Sequence, residues 1–239
     1  MLWQKPENFP DLKKGQVHVW RASLDRTKEE IEEFQSLLNA KEIDRANRFV
    51  VSDARNKFVV ARGILRTFLS NYLNMAPQEI VFKQNEYGKL YLESSPLQFN
   101  LSHSSDLSLF IFTLDNVVGV DVEFIRKIDN FEDIAKKFFS KKEAEDIFSL
   151  PEDERLLAFF NCWSRKEAYI KAKGLGVYHG LDNFSVEISV KKKGKVDLIC
   201  NDDNWHLEAC DPGENYSGAF AINAPECFVV FYEFKNAGL

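Results

Sequence analysis

The chain has 239 residues, of which 45% are hydrophobic and 28% charged, and its formal net charge is −6. This length accommodates one large domain or two small ones with a substantial core. The apolar runs are far shorter than the ~20 residues that span a bilayer, and the N-terminal segment lacks the apolar stretch of a signal peptide. The acidic balance argues against nonspecific binding of nucleic acid, and the absence of a Cys-x-x-Cys pair argues against a zinc or redox motif. We therefore expect a soluble, cytoplasmic protein without nucleic-acid or membrane partners.

Hydrophobic periodicity predicts helices mixed with strands along the whole chain. A strand is expected at 16–20 and helices at 28–40 and 52–73, followed by strands at 98–102, 107–114 and 117–124. Helices are expected at 131–139, 141–149 and 151–173, with Gly174 as the stop, and further strands lie between 184 and 234. This order indicates an α+β fold with mostly antiparallel strands. Two subdomains are predicted, covering residues 1–116 and 117–239.

A basic segment interrupts this acidic chain, because residues 41–66 carry seven cations against three anions. Such a segment can hold a small anion. Arg55, Arg62 and Arg66 share one stripe of the predicted helix 52–73. Their periodicity is more typical of a solvated face whose arginine stems cover apolar surface than of a phosphate-binding edge.

Three carboxylates occupy positions that suit a hard cation. Asp121 and Glu123 share one face of a strand, roughly 7 Å apart. This pattern usually marks a solvated face, but paired carboxylates are also ligands for divalent cations. Glu167 falls on the apolar stripe of helix 151–173, where an unpaired carboxylate is costly and binds a proton or a cation instead. Lys171 lies one turn further along.

Other polar residues complete a picture of phosphate chemistry. Ser102 and His103 close a predicted strand, and both can donate hydrogen bonds to a phosphate. The run from Ser140 to Glu143 has the pattern of a capping box. There is no Gly-x-Ser-x-Gly elbow, so a serine hydrolase is rejected. The three carboxylates would hold Mg²⁺ while the cations hold a multiply charged phosphate ligand, which suits attack at phosphorus.

Four segments, in this order and spacing, resemble the Sfp-type 4′-phosphopantetheinyl transferases. They are Tyr87-Gly88-Lys89, Phe99-Asn100-Leu101-Ser102-His103-Ser104, Gly119-Val120-Asp121-Val122-Glu123 and Trp163-Ser164-Arg165-Lys166-Glu167-Ala168-Tyr169-Ile170-Lys171. The resemblance runs from about residue 38 to 187. It implies a monomer of two similar α/β halves related by a pseudo-twofold, with coenzyme A between them. One departure is Glu42, which occupies a position that is basic in some members.

The resemblance also implies an activity, namely Mg²⁺-dependent transfer of 4′-phosphopantetheine from coenzyme A to a serine of an apo acyl or peptidyl carrier protein. The second product is 3′,5′-ADP. The implied Mg²⁺ ligands are Asp121, Glu123 and Glu167, which also meet the pyrophosphate of coenzyme A. Lys171 would contact the phosphates and assist the leaving group, and Glu143 would be the general base.

The remaining implied contacts belong to coenzyme A. Ser102 and His103 would lie on the phosphate side. The loop of Tyr87, Gly88 and Lys89 would contact the nucleotide. Arg45 and Lys57 would lie near the 3′-phosphoadenosine.

Two alternatives stay open at this stage. A noncatalytic protein that binds coenzyme A or a nucleotide would keep the phosphate contacts without transfer. A Mg²⁺-dependent phosphohydrolase would release its product without a carrier protein, but no second cluster of metal ligands is visible for a dinuclear site.

Overall fold

The computed structural model describes residues 1–176, 180–191, 193–199 and 204–235. Within these ranges the α-helices are α1 (Lys28–Ser36), α2 (Ala40–Ala46), α3 (Ser52–Leu73), α4 (Phe131–Phe138), α5 (Lys141–Ser149) and α6 (Glu152–Lys173). The strands of the first half are β1 (Gln16–Ser23), β2 (Lys83–Gln84), β3 (Leu90–Tyr91), β4 (Leu97–Ser104) and β5 (Leu107–Leu114). The later strands are β6 (Val118–Phe124), β7 (Ser185–Val186), β8 (Gly194–Val196), β9 (Leu198–Ile199), β10 (His206–Cys210), β11 (Tyr216–Ile222) and β12 (Phe228–Phe234).

Two four-stranded sheets form the centre of the molecule, with the orders β12-β1-β5-β4 and β6-β11-β10-β8. All neighbouring strands in these sheets are antiparallel except β1 and β12, which are parallel. The predicted α+β class with mostly antiparallel strands is confirmed. Strand β12 joins the first sheet although it lies at the C-terminal end of the chain. It therefore crosses the predicted boundary between residues 116 and 117. The division of the chain into two subdomains at this boundary stays a prediction.

The layers follow from strand alternation. Trp20, Phe110 and Phe112 on one face of the first sheet pack with α3 in one core. On the opposite face, Val19 and Ile111 meet Val120, Val122 and Phe220 of the second sheet in another core. A third core lies between the second sheet and α6. Each half therefore has one sheet and one 22-residue helix on its outer face, and the two sheets face each other.

Close contact between β6 and α6 sets the position of the candidate site. Gly119 faces α6, and a Cβ atom at this position would collide with the backbone of Ala168 and Ala172. Helix α6 therefore lies directly on β6 at the residues that immediately follow Glu167 and Lys171. The helix ends where predicted, because Gly174 takes a left-handed conformation at φ 71°.

Several boundaries differ from the prediction. The helix predicted at 28–40 ends at Ser36, and a separate helix α2 begins after Asn39, which caps it in a capping box with Glu42. Local hydrophobic periodicity did not reveal this break. The bounds of α3 match the prediction at Ser52 and Leu73. No helix in the described ranges is both long and apolar enough to cross a membrane.

Candidate active site

Asp121, Glu167 and Lys171 meet where α6 packs on β6. The Lys171 ammonium lies 2.5 Å from Asp121 Oδ1 and donates to Ser102 Oγ at 2.9 Å. Ser102 in turn donates to Asp121 Oδ1 at 2.8 Å. Glu167 lies on the same face of α6 one turn before Lys171, as the helical period requires. The structure thus brings these predicted site residues together.

The two carboxylates of β6 lie on the same face of the strand, as strand alternation predicts. This face is turned toward the end of β4. Asp121 accepts from Ser102, and Glu123 Oε2 accepts from Ser104 Oγ at 2.9 Å. Two serines at alternate positions of β4 therefore face two carboxylates at alternate positions of β6. The Asp-x-Glu pattern is consequently not a solvated face, because Asp121 is buried and Glu123 only partly accessible.

Burial and mutual repulsion govern the charges of this cluster. Burial, followed by repulsion from Asp121 and Glu123, raises the pKa of Glu167 to about 7, although Lys171 opposes the shift. Burial and Asp121 also raise the pKa of Glu123. Burial alone would lower the pKa of Lys171, but attraction to Asp121, Glu167 and Glu123 raises it. The cluster has more negative charge than one ammonium can balance.

Two carboxylate oxygens of the cluster lack hydrogen-bond partners in the described part of the chain. They are Asp121 Oδ2 and Glu167 Oε1, and both are buried. A buried unpartnered carboxylate oxygen is costly, and carboxylate oxygens are the ligands that Mg²⁺ prefers. No three Asp, Glu, His or Cys side chains in the described ranges already stand as a metal-binding group. The donor types and the orphaned oxygens fit a divalent cation, with Glu123 still turned toward Ser104.

A cleft between α3 and α6 leads to this cluster. It consists of two adjoining cavities, which we call the carboxylate cavity, with a volume of about 390 Å³, and the basic cavity, of about 700 Å³. The carboxylate cavity is lined by Arg45, Phe58, Ala61, Arg62, Gln84, Tyr87, Gly88, Lys89, Leu90, Asn100, Leu101, Ser102, His103, Glu167, Lys171, Gly174, Leu175 and Gly176. The basic cavity is lined by Asn39, Lys41, Glu42, Arg45, Arg48, Phe49, Phe58, Arg62, Phe82, Gln84 and Leu90.

Two of the residues predicted to contact coenzyme A, Arg45 and Lys89, line this cleft, but they differ in the groups that they already contact. Arg45 lines both cavities, and its guanidinium lies 5.2 Å from the centre of the Phe58 ring. Lys89 lines the carboxylate cavity, but its ammonium donates to the carbonyls of Val118 and Ala172, both at 2.9 Å. Burial lowers the pKa of Lys89 to about 8. Lys89 therefore also ties its loop to the C-terminal half.

The loop and the strand end contribute three further predicted residues to the wall of the carboxylate cavity, namely Tyr87, Gly88 and His103. Gly88 has a φ of 83°, which the tight turn between β2 and β3 requires. Burial and the cations of Lys171, Arg62 and Lys57 lower the pKa of His103, so its imidazole is neutral at pH 7.

Lys57 is not among the described wall residues of either cavity. Its ammonium pairs with Asp53 and Asp106, both at 2.8 Å. These two carboxylates raise the pKa of Lys57 through hydrogen bonds. A contact between Lys57 and a ligand in the cleft therefore stays a prediction, and it would require these ion pairs to rearrange.

Glu143 lies outside the described wall of the carboxylate cavity, and its side chain is only 2% exposed. Its Oε2 accepts from the Ser140 backbone and pairs with the Lys166 ammonium, both at 2.8 Å, while Oε1 accepts from the Val186 backbone at 2.8 Å. The capping box is confirmed. Because both oxygens are engaged and buried, this placement argues against Glu143 as the general base.

Sequence reasoning assigned Arg62 and Arg66 to a solvated face, which is wrong. Arg66 is fully buried and donates to Glu42 Oε2 at 2.7 Å, and Arg62 Nε lies 3.5 Å from Glu42 Oε1. The signal that could have revealed them is the lone glutamate, Glu42, within the basic segment. A buried carboxylate there needs cations.

Comparisons with known proteins match both halves of the chain. Residues 117–221 match a family described as the 4′-phosphopantetheinyl transferase superfamily, and residues 20–112 match a family described as 4′-phosphopantetheinyl transferase, N-terminal. The 4′-phosphopantetheinyl transferase HetI of Nostoc sp. is 34% identical over 222 residues, which cover 91% of this chain and 92% of HetI. The 4′-phosphopantetheinyl transferase Sfp of Bacillus subtilis is 27% identical and covers 88% of this chain and 94% of its own.

A solved structure was also matched. It is a holo-(acyl-carrier-protein) synthase from Bacillus anthracis in complex with CoA (3′,5′-ADP), with 20% identity and a TM-score of 0.35. The match covers 45% of this chain and 95% of that one.

Proposed function

Because the chain belongs to the 4′-phosphopantetheinyl transferase superfamily, we propose that its cleft transfers the 4′-phosphopantetheine group of coenzyme A to a serine of an apo carrier protein. The protein is an enzyme of the transferase class. One observation supports the location of the reaction. Glu167 and Lys171 line one end of a cleft, with Asp121 in contact with the Lys171 ammonium, and the other end is lined by arginines and a lysine.

In this proposal the serine oxygen attacks the phosphorus that carries the pantetheine arm. A new phosphoester bond forms, the diphosphate bond breaks, and 3′,5′-ADP leaves with the bridging oxygen. Lys171 lies beside Asp121 with an ammonium whose pKa is raised. It stays charged at neutral pH and stabilises the negative charge that develops on the leaving phosphate.

Asp121, Glu123 and Glu167 are the residues that would hold Mg²⁺. When bound, the ion would neutralise the charge of the diphosphate. The orphaned oxygens of Asp121 and Glu167 support this assignment. Glu123 would have to turn away from Ser104 to join them.

We propose that Glu167, rather than Glu143, accepts the proton of the attacking serine. Glu167 lines the carboxylate cavity, whereas Glu143 lies outside its described wall and has both oxygens engaged in buried contacts. A cation on this carboxylate would lower its basicity. Transfer through a water molecule held by Glu167 is therefore the route that is compatible with both of its roles.

The donor fits the cleft in charge and size. Coenzyme A has a diphosphate and a 3′-phosphate joined by a nucleoside, and the cleft has two cavities joined at a shared wall. The basic cavity would take the 3′-phosphoadenosine beside Arg45, and the carboxylate cavity would take the diphosphate beside Lys171. The monomeric state stays a prediction of the family resemblance, and the cytoplasmic location stays a prediction from the sequence.

Intact-mass spectrometry of a carrier protein tests this function. An apo acyl or peptidyl carrier protein is incubated with the enzyme, coenzyme A and Mg²⁺, with EDTA and a serine-to-alanine carrier as controls. We expect a phosphopantetheine mass gain that both controls abolish. Bound coenzyme A without a gain on either carrier class would favour a noncatalytic binding protein. Hydrolysed coenzyme A without a carrier product would favour a phosphohydrolase.

A further inference from the structure

Strands β4 and β6 are edge strands of different sheets, yet they lie side by side at the candidate site. In the described part of the chain, the hydrogen bonds between them all involve side chains. Asn100 Oδ1 accepts from the backbone N–H of Val120 at 3.0 Å, and Ser104 Oγ accepts from that of Phe124 at 3.1 Å. A buried edge strand has backbone N–H groups that need acceptors. The side chains of β4 therefore replace the backbone acceptors of a paired strand.

These two backbone contacts lie on either side of the carboxylate pair. Val120 directly precedes Asp121, and Phe124 directly follows Glu123. The direction of a side chain from a strand is set by the backbone that carries it. The two contacts thus fix the carboxylates of β6 relative to β4 at both ends of the pair.

Asn100 is the more specialised of the two acceptors. It is only 8% exposed, and its bond to Val120 is buried. Ser104 is partly accessible, and its hydroxyl also donates to Glu123. The one hydrogen bond described for the Asn100 carbonyl is thus the one that holds the backbone of β6 in place.

The same point of β6 also contacts helix α6. Gly119, which precedes Val120, packs so closely on the helix that a Cβ atom would collide with its backbone. Asn100 thus holds β6 at the position where the strand also meets α6. The separation of Asp121 and Glu167 depends on this position, because β6 carries one of them and α6 the other.

We propose that Asn100 is a positioning residue, whose side-chain carbonyl holds β6 so that Asp121 and Glu167 can bind the same divalent cation. This inference rests on the proposed function. Mg²⁺ demands near-ideal octahedral geometry, and the loss of a residue that orients metal ligands typically weakens metal binding about 10- to 100-fold. Asn100 also lines the carboxylate cavity, but the proposed role acts through Val120 and requires no contact with coenzyme A.

Binding of Mn²⁺ alone, measured by electron paramagnetic resonance on the enzyme without coenzyme A, tests this role. Asn100→Leu keeps the branched shape of the side chain but removes the acceptor of the Val120 N–H. The Mn²⁺ affinity should fall by at least about tenfold, and the Val120 amide should exchange faster with deuterium. The affinity for coenzyme A in EDTA should stay within about twofold of the wild type, because no ligand contact is removed.

Thr113→Val is the matched control. Thr113 is 1% exposed, and its Oγ1 donates to the Gln16 carbonyl at 2.9 Å, which joins β5 to β1. Valine keeps the shape of threonine, so this variant also loses one hydrogen bond between a buried side chain and the backbone. Thr113 is absent from the described walls of both cavities, so the Mn²⁺ affinity should stay within about twofold of the wild type. An equal loss in both variants would reduce the effect to general destabilisation and overturn the proposal.

Asn100→Ala provides a second arm if Asn100→Leu does not fold. Its smaller side chain leaves room for a water molecule that can accept from Val120. The loss of Mn²⁺ affinity should therefore be smaller than in the leucine variant, about threefold. Unchanged Mn²⁺ affinity in the folded variant, or coenzyme A affinity reduced as strongly as Mn²⁺ affinity, would overturn the proposal.

Measurements on the wild type separate this inference from the proposed function. Phosphopantetheine transfer by the wild type, combined with normal Mn²⁺ binding in the Asn100 variant, would refute the positioning role alone. A wild type that bound no Mn²⁺ would refute the metal assignment and the Asn100 proposal with it. Carrier modification by the same protein would then show whether the transfer activity also fails.

Discussion

Replacing Glu143 by glutamine separates a structural role from a catalytic one. The glutamine side chain would keep the shape of Glu143, and its single amide oxygen would still accept the capping hydrogen bond from Ser140. Its amide nitrogen would then face the Val186 backbone N–H, which loses its acceptor. The substitution would remove the only carboxylate that pairs with the Lys166 ammonium among the described contacts. The perturbation therefore tests one buried charge together with one buried hydrogen bond.

The magnitude follows from the surroundings of Lys166. Its side chain is fully buried, and its ammonium also donates to the carbonyls of Leu181 and Phe184, both at 2.6 Å. Breaking a buried ion pair by removing one partner costs about 3–5 kcal/mol. Because two carbonyls still solvate the ammonium, we expect the lower end, about 3 kcal/mol. This loss should lower the urea midpoint by about 1 M.

The assay combines urea unfolding with carrier modification at a temperature where each variant is folded. Glu145→Gln on the same helix is the matched control. Glu145 forms an exposed ion pair with Lys141, with 3.7 Å between Oε1 and the ammonium nitrogen. The free energy of unfolding of this variant should therefore differ from that of the wild type by less than about 0.5 kcal/mol. Glu143→Gln should be destabilised yet transfer phosphopantetheine within about threefold of the wild-type rate, since no proton-transfer contribution is lost. Wild-type stability with a roughly 100-fold slower transfer would refute this reasoning and restore Glu143 as the base.

Three other variants test the site and the core. Glu167→Gln should reduce transfer by at least about 100-fold without lowering the melting temperature in EDTA, because the carboxylate has an unpartnered buried oxygen; a wild-type rate would exclude Glu167 from the site. Lys171→Met should slow transfer and lower the melting temperature, because the Asp121 carboxylate loses its counter-charge; full activity would contradict the leaving-group role. Burial lowers the pKa of His18 from 6.5 to about 4, so the unfolded chain binds more protons between these values and stability rises with pH there, by about 3 kcal/mol. In the His18→Asn variant, the urea midpoints at about pH 4.5 and pH 7 should differ less than they do in the wild type. An equal difference in both proteins would contradict the lowered pKa of His18.

Local patterns predicted the elements that carry the site. The period of α3 and the left-handed Gly174 after α6 mark helix ends that depend on nearby residues alone. Strand alternation placed Asp121 and Glu123 on one face, and helical period placed Glu167 on a buried stripe. These predictions succeeded because each depends on the geometry of a single element.

Long-range pairing accounts for what the sequence did not reveal. Glu143 pairs with Lys166, 23 residues away on another helix, so the sequence shows its capping box but not its burial. Glu42 pairs with Arg66 across 24 residues and with Arg62 across 20. A helical stripe of arginines looks the same whether a second helix covers it or solvent does.

A crystal structure of the enzyme with coenzyme A and Mn²⁺, which replaces Mg²⁺ as an X-ray-visible ion, tests the central claim most directly. We expect an anomalous peak in contact with Asp121 and Glu167, and the diphosphate beside Lys171. The 3′-phosphate should lie beside Arg45 in the basic cavity. A metal peak away from both carboxylates, or a nucleotide bound outside the cleft, would contradict the account.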